Sequence, residues 1–455
     1  MGKKGNRANK GGLAGRLGIT SGISSDGSTF SNWAGNQVAT PLSIEAPTTE
    51  DELVAIVRRA AETERTVKAV GAGHSFTDIA LTNGVLLNLS GYDQVLSVDG
   101  ALVTVQAGIR LHALAEILAE HHLALPNLGD IDVQSVAGAL STGTHGTGLG
   151  YNAIASAVVG LRVIDGEGYA RTLEGEDLRV GRVGLGVAGL ISTVTLECVP
   201  AFWLHAIEKS APLAQVLDEF DDWAGETDHT EFFWLPHTDQ ALTKRNTRLD
   251  SGPSRTGGAK RTFRRIETEL TENALFDVMC RVGRARPHLA EKLTKTMAAG
   301  STERDYVAPS WEVFATPRRV RFVEMEYAVP RDRWKAAFNE VRGLLDVIDV
   351  PVFFPIEVRV LGADDAAMSM ATERDSVFIA VHQYKGMEYE RYFRGVESIM
   401  KRYEGRPHWG KLHFRSADDL APVYPEIDRF RDLVHRLDAP GTFRNSYTDR
   451  VLGSR

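Results

Sequence analysis

Cysteine is nearly absent: 455 residues contain two, Cys198 and Cys280. Two thiols build neither a disulfide framework nor a four-thiolate metal site, and they point to a reducing, cytoplasmic setting. No run approaches the ~18 consecutive apolar residues expected of a membrane-spanning helix. Excess positive charge is missing too. Lysine and arginine number 52 against 60 aspartates and glutamates, a formal charge of −8. That is the wrong sign for a protein built to coat nucleic-acid phosphates, so no nucleic-acid partner is expected. No internal repeat is visible. The opening MGKKGNRANKGGLAGRLG holds Lys3, Lys4, Arg7, Lys10 and Arg16 with no acid and no apolar core. It reads as a flexible basic arm over residues 1–29, not as a secretory signal.

What is present is ordinary for a globular protein, with 43% hydrophobic and 25% charged residues, on a length that suggests one to three domains. Glycine is the exception, at 43 residues or about 9.5%, against roughly 7% on average. Order is expected from FSNWAGN, near Phe30. TTEDELVAIVRRAAETE offers Thr48 or Thr49 as N-cap, and Leu53, Ile56, Val57, Ala60 and Ala61 follow a helical period. Short strand-like runs follow from Thr66 to Gly108: RTVKAV, GVLLNL, DQVLSVD and ALVTVQAG. Then come a helix at LHALAEILAEHH, a hairpin in VVGLRVIDGEGYARTL turning at Asp165–Gly168, and a strand in GLGVAGLISTVTLECVP. Short strands paired by turns, with helices between, predict an α+β fold and not a doubly wound array.

A boundary falls near Pro200. Residues 207–305 read as mostly helical and charged, with a linker at 248–260. VRFVEMEYAVP, PVFFPIEVRVL and SVFIAVHQY then predict an antiparallel sheet, with the helix DRWKAAFNEVRGLLD between the first two.

Two glycine-rich segments carry chemistry. VGAGHSFTD (70–78) contains Gly71, Ala72, Gly73, His74 and Ser75 after a predicted strand. It fits neither the Rossmann nor the P-loop fingerprint, and alone it reads equally as a tight turn. SVAGALSTGTHGTGLG (135–150) contains Ser135, Gly138, Ser141, Thr142, Gly143, His145, Gly146 and Thr147. Its free backbone N–H groups suit a diphosphate, and its hydroxyls equally suit a loop that satisfies itself. Two such segments about 70 residues apart favour a large phosphate-bearing cofactor. Further on, Glu357 and Arg359 lie two apart on a strand and share a face. They form either a surface ion pair or part of a site. His408, His413, His121 and His122 show no zinc-like spacing, so no metal is assigned.

The pair GAGHSFTDIA and GTHGTG, with NLGDIDVQSVAGA between them, resembles FAD flavoproteins of the vanillyl-alcohol-oxidase type. FPIEVRV, RPHWGKLH and the ending YPEIDRF…LDAPGTFRNSYTDRVLG extend the likeness from about Asn32 to Gly453. The closest resemblance is to the gulono- and arabinono-1,4-lactone oxidoreductases. It implies a two-domain FAD-binding fold, of the p-cresol methylhydroxylase and vanillyl-alcohol-oxidase type, with an antiparallel-sheet substrate domain. The parts are an FAD-binding domain (30–200), a substrate domain (201–385) and a C-terminal segment (386–455) packing across both. It also implies FAD bonded through the His74 ring. The glycine-segment residues named above, with Ile191 and His408, are its remaining cofactor candidates. Glu357 would hold substrate hydroxyls, Arg359 would steady substrate oxygen and negative charge on the flavin, and Lys411 would be a cation beside the flavin. His382 is a candidate beside the substrate that reads equally as a satisfied core histidine. The implied reaction oxidises a secondary carbinol of a sugar lactone, with hydride passing to flavin N5, to a 2-keto lactone. Oxygen or another acceptor would take the electrons. Alditol or nucleoside oxidation on the same fold is the alternative.

Overall fold

The computed structural model describes residues 22–252, 276–299, 303–316 and 320–454. Most of the basic arm and the 253–260 part of the linker lie outside these residues.

The first helix is written in its cap. Thr49 accepts a hydrogen bond from the Glu52 amide, and the Glu52 carboxylate reaches back to the Thr49 amide, with Glu50, Asp51 and Glu52 all in the first turn. The helix runs Glu50–Glu62 and buries Leu53, Ile56, Val57 and Ala60. It carries the chain between Ser43–Glu45 and Val67–Val70, both of which pair in parallel with Val85–Asn88. These three strands are therefore joined by crossovers and not by turns, unlike the expected arrangement. Five further strands of this half form an antiparallel sheet in the order Ala170–Leu173, Val158–Ile164, Leu190–Glu197, Leu102–Gln106 and Val95–Asp99.

The second half is organised by an eight-stranded antiparallel sheet. Its order is Arg304–Pro309, Trp203–Pro212, Gln240–Leu249, His229–Trp234, Ile356–Leu361, Ser376–Tyr384, Phe322–Pro330 and Arg406–Pro407. The region expected to be mostly helical thus supplies two of these strands whole and parts of two more. The misreading has a physical cause. Gln240–Leu249 buries Thr243, Lys244 and Asn246, so its inward positions carry polar residues and hide the strand's hydrophobic alternation.

Two apolar cores result. One lies among the parallel sheet, the five-stranded sheet and the C-terminal helix Ile427–Leu437, which inserts Ile427, Phe430, Leu433 and Val434. The other lies on one face of the eight-stranded sheet, beneath helices Leu213–Glu226, Trp334–Val347 and Glu390–Arg402. Among the described residues no helix is long and apolar enough to cross a membrane. Cys198 and Cys280 are both buried and unbonded.

The C-terminal segment is fastened to the first half through Asn445. Its side chain caps helix Ser446–Leu452 through the Thr448 amide and donates to the carbonyls of Asp78, Ile79 and Leu81, just after the His74 loop. Asn445→Ala removes a cap and takes this donor from the Ile79 and Leu81 carbonyls, while Asp78 O keeps the Leu81 amide. It should cost about 2–4 kcal/mol, more than a lone cap, read as a lower urea midpoint.

Candidate active site

Two clefts meet at His74. One offers about 1100 Å³ of empty space and the other about 1020 Å³, both open to solvent, and His74, Ser75, Gln134 and Thr142 line both.

The second cleft runs along the two glycine-rich segments. Gly73 turns the chain with φ of +67°, a conformation that glycine alone adopts without strain. Gly71 lies so close to Ser135 that a Cβ would fall 2.2 Å from its Oγ, so the two segments touch through a missing side chain. Ser135 to Gly150 is not an open loop throughout. Val136–Ser141 is a short helix, buried through Val136, Ala137, Ala139 and Leu140, and the Ser135 hydroxyl accepts from the Gly138 amide at its start. Gly71, Ala72, Gly73, Gly138, Ser141 and Ile191 all line this cleft. Among the described residues no carboxylate lines it, and Lys68 is its one charged group. Burial pulls the Lys68 ammonium down to about 7, against the opposing pull of Asp438, and its Nζ donates to Gly186 O at 3.3 Å. A glycine-walled cleft free of negative charge suits a diphosphate.

Gly143, Gly146 and Thr147, by contrast, line neither cleft. Gly146 packs on Asn127. The Thr147 hydroxyl donates to Thr230 O (2.6 Å) and lies 3.1 Å from Val360 O, tying this loop to two strands of the large sheet.

His74 stacks on Trp33 at 5.2 Å, and its Nε2 is buried without a hydrogen-bond partner. Burial first, then the charges of Arg110 and Lys411, lowers its pKa to about 3. The ring is therefore neutral, with a nitrogen lone pair available for bonding.

The first cleft is floored by the face of the large sheet opposite the helices. Strand register decides which side chains share it. Glu231 stands opposite Arg359 and Phe233 opposite Glu357. Glu357 and Glu326 each stand opposite Ala380, and Glu324 stands opposite His382. Ionisable groups from four adjacent strands therefore project together, around the small Ala380. All are buried: Glu231, Glu324, Glu326, Glu357, Arg359 and His382 are each 8% exposed or less.

Such a face is tolerable only if charges pair. Arg359 meets Asp130 at 2.6 Å, Glu231 at 2.9 Å and Glu357. Burial opposes its charge, but these carboxylates hold the guanidinium firmly ionised. Glu231 also reaches Lys244 at 3.3 Å. Lys411 pairs with Glu324, whose second oxygen lies 3.6 Å from His382 Nε2. Burial is the largest influence on the Glu324 carboxyl and would raise it, but Lys411 and His382 together outweigh it and hold it below the usual range. His382 Nδ1 is 3.0 Å from Pro355 O, and its Nε2 is 4.0 Å from Glu357. His145 lies 3.5 Å from Glu326 and stacks on Phe378. His408 is held neutral by burial, at about 3, and its Nδ1 accepts from the Gly410 amide.

Glu357, Arg359, His382, Lys411, His145 and His408, read from scattered motifs, thus line one cavity with His74. His145, Glu326 and His408 bring three ligand atoms within 4.8 Å, as do Asp130, Glu231 and Glu357, so either group has the spacing to hold a metal ion. Sequence reading missed Asp130, Glu231, Glu324 and Glu326. For the last two a signal exists: VEMEYAV places carboxylates at i and i+2 on a strand, the pattern that marked Glu357 and Arg359.

The chain is similar to known proteins over nearly its whole length. Residues 194–451 match the family described as D-arabinono-1,4-lactone oxidase, and residues 41–174 match an FAD binding domain. An L-gulono-1,4-lactone dehydrogenase of Mycobacterium tuberculosis is 44% identical over 427 residues, covering 93% of this chain and 99% of that protein. The L-gulonolactone oxidase of Mus musculus is 31% identical, covering 94% and 98%. A solvent-stable cholesterol oxidase shares the fold with a TM-score of 0.78 at 18% identity, over 94% of this chain and 97% of that one.

Beside the clefts, His229 is fully buried between Thr147 O (2.7 Å from Nδ1) and Arg248, whose Nε donates to Nε2 (3.1 Å). Nε2 must therefore stay unprotonated, and burial lowers the pKa to about 3. The unfolded chain takes up this proton below about 6.5, so the contribution is present near neutrality and lost as pH falls from 6.5 towards 3. His229→Gln should flatten the fall in unfolding free energy between pH 5.5 and 4 by about 1.4 kcal/mol per pH unit. Urea titrations at three pH values measure it.

Proposed function

Since the chain belongs to the D-arabinono-1,4-lactone oxidase family of FAD-binding oxidoreductases, we propose that it oxidises a sugar-1,4-lactone at a secondary carbinol, giving a 2-keto lactone. One observation carries the reading: a neutral, unpartnered histidine stands where a charge-lined cleft opens into a glycine-walled one. The Gly71–Ser75 and Ser135–Thr142 segments would hold FAD, with its dinucleotide end in the glycine-walled cleft. His74 would bond through its ring to the flavin. Bound FAD supplies the two-electron acceptor for the substrate carbon.

The side chains do the rest. Glu357 accepts hydrogen bonds from substrate hydroxyls. Arg359, pinned by carboxylates on several sides, keeps its guanidinium fixed toward the substrate oxygen, so little reorganisation remains when charge develops. His382 stands among the groups placed to take the hydroxyl proton. Its Nδ1 rests on the Pro355 carbonyl, which leaves Nε2 between Glu324 and Glu357. Lys411 supplies positive charge where electrons arrive.

Both fixed cations lining the cleft among the described residues, Arg359 and Lys411, are already engaged by buried carboxylates. A substrate carboxylate finds no uncommitted cation, which supports an uncharged lactone over its ring-opened aldonate.

Covalent attachment is checked by acid precipitation. The pellet is expected to stay yellow, with the flavin on a peptide containing His74, and His74→Ala should release all flavin to the supernatant.

Anaerobic stopped-flow reduction tests the reaction. Gulono-, galactono- or arabinono-1,4-lactone should reduce the flavin faster than alditols, and the aldonates should not reduce it. Arg359→Lys keeps the charge the surrounding carboxylates require but loses the planar fork, and should slow reduction roughly 10²-fold. Glu357→Ala should chiefly raise the substrate concentration needed. Faster reduction by an alditol than by any lactone would reject the substrate assignment.

A further inference from the structure

Taking Lys411 to lie beside the bound flavin, as in the reading above, we infer that Glu324 is a positioning residue that anchors Lys411 and sets how much of its positive charge reaches the flavin.

Glu324 is bound to the Lys411–Leu412 segment twice over. Its side chain pairs with the ammonium, and its backbone carbonyl accepts from the Leu412 amide at 2.8 Å, stitching strand Phe322–Pro330 to the segment that carries Lys411. The Lys411 amide donates to His408 O at 3.0 Å, and its Nζ lies 5.3 Å over the Phe76 ring. The backbone thus holds Lys411 near its place even without the carboxylate.

The neighbouring carboxylates have other partners. Glu357 and Asp130 serve Arg359, and Glu326 serves His145. Among the described residues Glu324, 5% exposed, is the carboxylate in contact with Lys411. In a poorly polarisable interior a contact pair acts outward as a dipole and not as a full charge. Replacing the carboxylate by a neutral amide turns the dipole back into a positive charge. A bound flavin feels that as easier acceptance of electrons or of an anion.

Glu324 also faces His382 at 3.6 Å. The same carboxylate therefore sits between the group that favours electron arrival and a group placed to take the substrate proton. Its test must separate an electrostatic role from simple packing.

The experiment uses the holoenzyme and reads sulfite affinity and flavin midpoint potential, neither of which involves the sugar substrate. Sulfite adds a negative charge to oxidised flavin and so reports local positive charge. E324Q is expected to tighten sulfite binding at least tenfold and to raise the midpoint potential. A tenfold change corresponds to about 30 mV for a two-electron couple. E324D should stay near wild type. K411M should shift both quantities the opposite way. In the K411M background Glu324 keeps only His382 at 3.6 Å, and burial then favours its neutral form, so adding E324Q there should change little.

If K411M weakens sulfite binding while E324Q leaves it unchanged or weaker, this inference fails and the placement of Lys411 stands. If K411M has no effect, the placement of Lys411 beside the flavin fails, and this inference with it. A gain from E324Q of equal size in the K411M background means that Glu324 acts on the flavin directly, and it also overturns the proposal. Should E324Q not fold, E324M removes the same charge and is expected to give the same rise.

Discussion

Burying ionised side chains on one face of a β-sheet is the constraint from which the rest of this structure follows. Charges removed from water are tolerated only when opposite charges and hydrogen bonds replace the lost solvation. Arg359 has carboxylates from strands His229–Trp234 and Ile356–Leu361 and from the loop at Asp130. Lys411 has Glu324 from strand Phe322–Pro330. Apart from Glu357 and Arg359, which share a strand, each pairing crosses from one element to another, so the cleft is assembled by the same contacts that hold its walls in place. A cation saturated in this way has little freedom to move when the charge of a substrate changes.

That constraint explains the division of the sheet into two faces. Helices Leu213–Glu226, Trp334–Val347 and Glu390–Arg402 cover one face with an apolar core. The other face carries the charged groups around Ala380. The C-terminal segment then closes the arrangement. It leaves the large sheet at Arg406–Pro407, delivers Lys411, and returns to the first core through Phe430 and Leu433. Asn445 fastens it beside the loop that ends the His74 motif. Residues of both clefts are thereby held by one continuous set of contacts.

Much of this was legible in the chain. Glu50–Glu62 announces itself through Thr49, Glu52 and a helical apolar stripe, and Ser376–Tyr384 through an unbroken hydrophobic run. Glycines 71 and 73 marked the His74 loop, and the spacing of Glu357 and Arg359 marked a shared face. Where the reading failed, inward polar residues had erased the usual pattern. Lys244 and Asn246 make Gln240–Leu249 look like an exposed segment although both are buried. The hydroxyls of Ser135 to Gly150 likewise disguised the helix Val136–Ser141, whose apolar side is made of small residues. Thr147 kept a structural task, bracing the loop against the sheet.

The sequence by itself determined the local events: where helices start, where the chain must turn through glycine, and which residues carry charge or a nucleophilic nitrogen. These depend on neighbours a few positions away, so they can be read along the chain. The tertiary structure alone decided that Asp130, Glu231, Glu324 and Glu326 join Arg359, His382 and Lys411 in one cavity. Those partners are separated by tens to hundreds of positions; strand register brings the sheet residues together, and loops deliver Asp130 and Lys411 to them. Register is set by hydrogen bonds between distant segments and by which face of each strand the helices cover. No local spacing encodes it, and a shift of one residue in a single strand would turn these charges into the apolar core.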